Sequence, residues 1–191
     1  MANMQFITPR LATGGDVGFH DEVVANIGDL VDAGITHVID MRQEWSDEAV
    51  FAVHAPGITY HWIPMDDAGQ TEGATTWQLV SDAASAALAN PDTKILVHCH
   101  MGINRGPSGA FAVLLGLGHE PVEALQMIRA ARPIAAIAYW ADVLRWHDAV
   151  TGFPGTSSQR RRLDGQRWMR DNHIDVVRII RSIRASEDTR V

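Results

Sequence analysis

Short apolar runs alternate with polar, glycine-marked breaks through the first 150 residues. MQFITPRLATGG holds two apolar pieces broken by Pro9 and by Gly14 and Gly15, which predicts a small edge hairpin or an extended first strand. DEVVANIGDLVDAG sets Val23, Val24, Ile27, Leu30 and Val31 on one helical face and ends at Gly34, a residue suited to a helix C-terminus. ITHVIDM and GITYHWIPM read as strands. The first runs into polar RQEWSDEAV, where Ser46 is placed to cap a helix; the second closes at Pro64 and the acidic pair Asp66 and Asp67. TTWQLVSDAASAALAN keeps helical spacing until Asn90 and Pro91. KILVH is apolar without alternation, as expected of a strand covered on both faces at the centre of a parallel sheet. Three helical patterns follow: PSGAFAVLLGLG, EPVEALQMIRAARP with Pro121 in its first turn, and IAYWADVLRWHDAV. The order predicts an α/β fold with a mostly parallel sheet of about four to five strands flanked by helices, in which sites gather beyond the carboxyl ends of the strands.

Near Thr151 the pattern changes. TGFPGTSS reads as a turn-rich linker, so the expected division is a domain over 1–150 and a linker with a basic amphipathic helical extension over 151–191. The extension carries nine arginines and five acids, a balance of +4, which leaves −11 to the rest of a chain whose net charge is −7. Arg160, Arg161 and Arg162 suit a solvated helix start. In HIDVVRIIRSIRA, Ile174, Val177 and Ile180 share a face flanked by Val176, Ile179 and Ile183, while Arg178, Arg181 and Arg184 form another. Packing on the domain is expected, with residues 173–185 open to an acidic partner, a second subunit or an anionic membrane surface.

Length and composition bound the rest. A chain of 191 residues suits one domain with an appendage, and 46% apolar with 20% charged residues is ordinary for a folded globular protein. The negative charge argues against broad nucleic-acid binding. A single cysteine, Cys99, excludes an intrachain disulfide. The start lacks a secretory pattern and no apolar run reaches the roughly 20 residues of a membrane span, so a cytoplasmic, reducing compartment is the expectation.

That cysteine lies in HCHMGINRGPS, at the end of the central strand. A metal reading needs convergent ligands, yet His98, Cys99 and His100 alternate in direction and no second cysteine gives the usual paired spacing. A redox reading lacks a resolving cysteine. A sulfur-transfer reading would also use a lone loop cysteine but has no need for an acid upstream. An oxyanion-binding nucleophile uses every feature. The loop His100, Met101, Gly102, Ile103 and Asn104 offers backbone N–H groups to an anion, Gly102 allows positive φ, and Arg105 supplies a bidentate fork. The helix starting near Gly106 adds its dipole, and the same field favours the thiolate of Cys99.

HCHMGINR resembles the H-C-x-x-G-x-x-R signature of the cysteine-dependent protein phosphatases, and the surroundings are most similar to the compact dual-specificity phosphatases. Chance matches to that signature arise at about one position in a million. The likeness spans about residues 5 to 150, taking in ITPRLATGG, LVDAGITHVIDMRQE, YHWIPMDD, KILVHCHMGINR and EALQMIRAARP. Aspartate before cysteine also separates the chain from the low-molecular-weight tyrosine phosphatases, whose cysteine lies near the N-terminus.

The resemblance implies a protein-tyrosine-phosphatase-like fold and hydrolysis of phosphomonoesters, with phosphorylated protein as the expected substrate. The alternatives are a non-protein monophosphate, or a slow or inactive phosphate-binding module of the same fold. It implies Cys99 as nucleophile, Arg105 and residues 100–104 as phosphate holders, and Asp67, at the last position of apolar-Pro-x-acid-Asp, as general acid. Periodicity alone does not separate Asp67 from Asp66. No metal or cofactor is implied. His98 is expected to support the loop through backbone hydrogen bonds, and Arg42 to tie strands together. The family usually has Ser or Thr after the arginine, to stabilise the departing sulfur; here Gly106 stands there and Ser108 follows two residues later. The loop also lacks the lysines of phosphoinositide-directed members, although His100 becomes cationic at mildly acid pH.

Overall fold

Two apolar pieces meeting at a tight break should pair with each other before they pair with anything distant, and they do. In the computed structural model, which describes residues 2–18 and 21–188, β1 (Met4–Thr8) and β2 (Leu11–Gly14) form the expected antiparallel hairpin. β3 (His37–Arg42), β4 (Thr59–Met65) and β5 (Ile95–His98) complete one five-stranded sheet in the order β1-β2-β5-β3-β4, with every pairing after the hairpin parallel. β5 is buried throughout, in keeping with its unbroken apolar run.

Side chains alternate across the sheet and divide the core in two. Ala12, Val38 and Leu96 face α1 (Asp21–Asp32) and α2 (Glu48–His54). Leu11, Ile39, Ile95 and Val97 face the opposite layer, built from α3 (Ala74–Leu88), α4 (Arg105–Gly116), α5 (Pro121–Ala131) and α6 (Trp140–Thr151). α4 is buried from Arg105 to Leu115 and forms the centre of that layer. The predicted α1 face is narrower than the spacing suggested: Ile27 and Leu30 are buried, but Val24 and Val31 stay about half exposed, because the sheet meets only one edge of the apolar arc.

The linker is shorter than its turn-rich composition suggested. Residues 155–158 already belong to α7 (Gly155–Asp171), so only 152–154 connect it to α6. α7 lies on the domain, with Trp168 and Met169 against the core and Gly165 beneath the Trp140 ring, where a Cβ would come within 2.7 Å of a ring carbon. Asp148 of α6 accepts from Ser158 Oγ at 2.5 Å and from Arg161, which also lies over the Phe153 ring. α8 (Val176–Asp188) follows, with Val176, Ile179, Ile180 and Ile183 half-buried and its arginines at 178, 181 and 184 exposed. Val177, expected at the centre of the apolar face, is instead exposed, since the covered arc is centred on Val176 and Ile183. Among the described residues, no helix is long and apolar enough to cross a membrane.

Candidate functional site

Register brings the chemistry together. Gly14 of β2 pairs with His98 of β5, Asp40 of β3 pairs with His98, and Arg42 pairs with Met65 of β4, so the carboxyl ends of four strands open on one rim. Cys99 leaves β5 at that rim, 3% exposed, with its N–H donating to Gly14 O at 3.4 Å.

The loop after it is held by its carbonyls. His100 O accepts from Asp16 N at 2.9 Å, Met101 O from Arg132 Nη2 at 2.9 Å, Gly102 O from Arg132 Nε at 2.5 Å, and Ile103 O from Ala136 N at 2.6 Å. A peptide unit is planar and trans, so four carbonyls drawn outward turn the N–H groups of Met101, Gly102, Ile103 and Asn104 inward. Gly102 has φ +65°, and a Cβ there would strike Gly14 and the Arg132 guanidinium, which explains glycine at that point. α4 then begins at Arg105, its first turn aimed at the same space.

Arg105 is buried. Of its five N–H donors, three are used: Nη1 to Glu44 Oε2 at 2.8 Å and to Met65 O at 3.0 Å, and Nη2 to Glu44 Oε1 at 2.7 Å. Glu44 thus takes the end of the guanidinium, and hydrogen bonding to Arg105 pulls its carboxyl down to about 2. Nε is buried without a hydrogen-bond partner, with Asp67 Oδ2 at 3.5 Å. Nε–H and the second Nη2–H lie on one edge and form a fork matched to two oxygens of a tetrahedral oxyanion.

Asp67 stands across this fork on the loop after β4; it and Asp66 are both exposed, and Asp66 turns its Oδ1 to accept Asp67 N–H at 2.7 Å. Asp67 Oδ1 accepts from Asn104 Nδ2 at 2.6 Å and lies 3.2 Å from Tyr139 Oη. His100 Nδ1 is 2.6 Å from Asp16 Oδ2, and the imidazole meets the Trp45 ring edge-on at 5.3 Å.

One expectation needs correction. His98 does not hydrogen-bond the loop backbone: both ring nitrogens lack a hydrogen-bond partner, and Nε2 sits 3.7 Å from Asp40 Oδ1 beneath the rim. Burial keeps its pKa below the usual histidine value despite the opposing pull of Asp40. Ser108 is fully buried but its Oγ has no hydrogen-bond partner, so it gives no hydroxyl to Cys99. Gly106 has a packing reason of its own, because a Cβ there would lie 2.9 Å from both His98 Cα and C and 3.0 Å from Cys99 N. Arg42 does tie elements together: it binds Asp40 of its own strand (Nε to Oδ1, 2.9 Å; Nη2 to Oδ2, 2.7 Å) and Asp47 at the start of α2, and its carbonyl accepts Trp62 Nε1 of β4 at 2.6 Å. Among the described residues, no three His, Cys, Asp or Glu side chains are grouped so as to hold a metal ion.

Glu44, Arg132, Tyr139 and Asp16 escaped the reading of the sequence as site residues. Glu44 carried one usable signal, its place just beyond the carboxyl end of a parallel strand; the others lie 27 or more residues from the signature and meet it only through the fold.

Known proteins resemble this chain in sequence and in fold. The profile of the family described as dual specificity phosphatase, catalytic domain, matches residues 23–149. Human dual specificity protein phosphatase 26 is 29% identical over 114 residues, covering 59% of this chain and 54% of its own, so the chain spans about half the length of the curated relatives it matches. The crystal structure of human DUSP28 superposes with a TM-score of 0.64 at 21% identity, covering 79% of this chain and 97% of that one. PTPMT1 in complex with PI(5)P gives 0.63 at 17% identity, with coverage of 78% and 97%.

Proposed function

Since the chain belongs to the dual specificity phosphatase catalytic-domain family, we propose that it hydrolyses phosphomonoesters through a cysteinyl-phosphate, with Cys99 as nucleophile, Arg105 and the loop amides as the phosphate holder, and Asp67 as acid and then base. The observation that carries the reading is the buried, unsatisfied Nε of Arg105 on the edge that Glu44 leaves free, beside a loop whose N–H groups turn inward. An orphaned guanidinium N–H in such a place is costly unless an anion completes it.

In the first step the Cys99 sulfur attacks phosphorus in line. The S–P bond forms, the P–O bond to the leaving group breaks, and Asp67 gives its proton to the departing oxygen. Arg105 and the amides of 101–104 hold the equatorial oxygens as their charge shifts. In the second step water attacks phosphorus, Asp67 takes a water proton, and the S–P bond breaks to return the thiolate and release phosphate. Neither step as written uses a metal or cofactor.

Phosphotyrosine, phosphoserine or phosphothreonine in a protein is the proposed substrate class. The rim carries Asp16, Glu44, Asp66 and Asp67, and the loop contributes no lysine, a balance that suits a single phosphate better than a polyphosphorylated ligand. The deciding experiment is phosphate release from p-nitrophenyl phosphate in the presence of a chelator. Wild type should turn over and Cys99→Ser should fall to background. Vanadate binding without turnover in the wild type would make the protein a phosphate-binding module instead.

A further inference from the structure

Asp67 is already drawn over the cradle, and what holds it comes from one loop residue and from the turn before α6. Asn104 cannot reverse its amide: Oδ1 accepts Ala138 N–H at 2.6 Å, which leaves Nδ2 to donate to Asp67 Oδ1 at 2.6 Å. Tyr139 Oη lies 3.2 Å from the same oxygen. It also sits 3.3 Å from Asp66 O and 3.3 Å from Gln70 Oε1, and receives Gly69 N–H at 3.4 Å, so one phenol gathers the loop from 66 to 70. Burial, helped by the Asp67 charge, pushes the Tyr139 hydroxyl up to about 12, which keeps its proton in place as a donor.

The turn presenting these groups is itself strained. Ile137 has φ +55°, the one described non-glycine residue with positive φ, a region that a β-branched side chain strongly disfavours. Its side chain is fully buried and Ala136 N–H is fixed to Ile103 O, so packing and the loop together impose the conformation that aims Ala138 N–H and Tyr139 at Asn104 and Asp67.

We propose that Asn104 and Tyr139 form a clamp of positioning residues that holds Oδ1 of Asp67 as an acceptor, so that the transferable proton resides on Oδ2, the oxygen facing the free edge of Arg105. The inference rests on the phosphatase reading above and deepens it. The acid is set before substrate arrives, and during the first step the proton passes from Oδ2 to the leaving oxygen as the P–O bond breaks, while both clamp hydrogen bonds persist on Oδ1.

A clamp acting through the acid predicts selectivity by leaving group, because proton donation matters most when the departing oxygen is basic. Tyr139→Phe, which keeps the ring, and Asn104→Ala should each lower kcat on phenyl phosphate about tenfold, the worth of one hydrogen bond to a charged group, and on p-nitrophenyl phosphate less than threefold. For Tyr139→Phe the vanadate inhibition constant should stay within twofold, reporting an intact cradle. In an Asp67→Asn background neither substitution should lower the phenyl phosphate rate further. Equal losses on both substrates, or an undiminished loss in the Asp67→Asn background, would overturn the clamp and leave the phosphatase standing. A wild type with no Cys99-dependent turnover would overturn the phosphatase reading and the clamp with it.

Discussion

At Asp66 and Asp67 two neighbouring carboxylates share a loop, and their surroundings separate them. Both are exposed, but Asp67 faces Arg105 Nε and accepts from Asn104, whereas the described side-chain hydrogen bond of Asp66 is local, from Asp67 N–H. Asp67→Asn should therefore slow phenyl phosphate far more than p-nitrophenyl phosphate, while Asp66→Asn should leave their ratio unchanged. The reverse pattern in steady-state rates would move the acid by one residue. Gly106 carries a second expectation at this scale. Since the Ser108 hydroxyl does not reach Cys99, breakdown of the cysteinyl-phosphate should be slower than its formation, and rapid-quench experiments should show a burst of aryl alcohol. Restoring the family's hydroxyl with Gly106→Ser will not help, because the new Cβ meets the His98 backbone at 2.9 Å. The variant should lose about 1–3 kcal/mol in urea unfolding, with no gain in turnover. A variant of wild-type stability and tenfold faster steady state would contradict this.

Among the elements, α7 changes the reading of the chain most. A polar, arginine-rich helix has little apolar surface to dock, and this one docks through a few specific contacts: Trp168 against the core, Gly165 under Trp140, and Arg161 and Ser158 on Asp148. Asp148 and Arg161 are 6% and 10% exposed, so removing the cation strands a buried carboxylate. Arg161→Leu should lower stability by about 3–5 kcal/mol in denaturant titration, whereas Arg160→Leu, at a site 86% exposed, should change it by less than about 0.5 kcal/mol. A loss below about 0.5 kcal/mol for Arg161→Leu would mean that the pair with Asp148 contributes nothing to the stability of the domain. α8 presents a different surface. Its half-buried aliphatic side chains are not part of the described core, and its arginines face outward, which keeps partner binding through 173–185 a proposal.

For the whole molecule, acid should be destabilising in a defined window. His98, His147 and His37 all have folded pKa values below the ordinary 6.5, in each case chiefly through burial. The unfolded chain therefore binds more protons than the folded one once pH falls below about 6.5, and stability rises with pH through that region. The melting temperature should be level above about pH 7 and decline steadily toward pH 5, before carboxylates begin to titrate. Glu44 stays anionic throughout, held by Arg105, so the loss belongs to the histidines rather than to the arginine's support. Melting temperatures that rise on acidification across this window would show that the neutral imidazoles are not what folding requires.

Periodicity and local chemistry were enough to determine most of the strand and helix order, the buried centre at KILVH and the loop from Cys99 to Arg105 that is proposed to bind the anion, because each depends on residues within one turn or one strand of each other. Gly102 was legible for the same reason: a positive φ is a local demand. What only the tertiary structure decided is which distant groups complete the loop. Arg132, 30 residues from Gly102 in sequence, binds the Gly102 carbonyl; Glu44, 61 residues from Arg105, fills one side of its fork and leaves the other; Tyr139, 72 residues from Asp67, reaches its carboxylate. The same applies to Gly106, whose missing side chain reads locally as a lost hydroxyl and in the fold as room for the His98 backbone. Hydrogen bonds between such residues leave no periodic trace along the chain, since their partners are set by strand register and helix docking rather than by spacing.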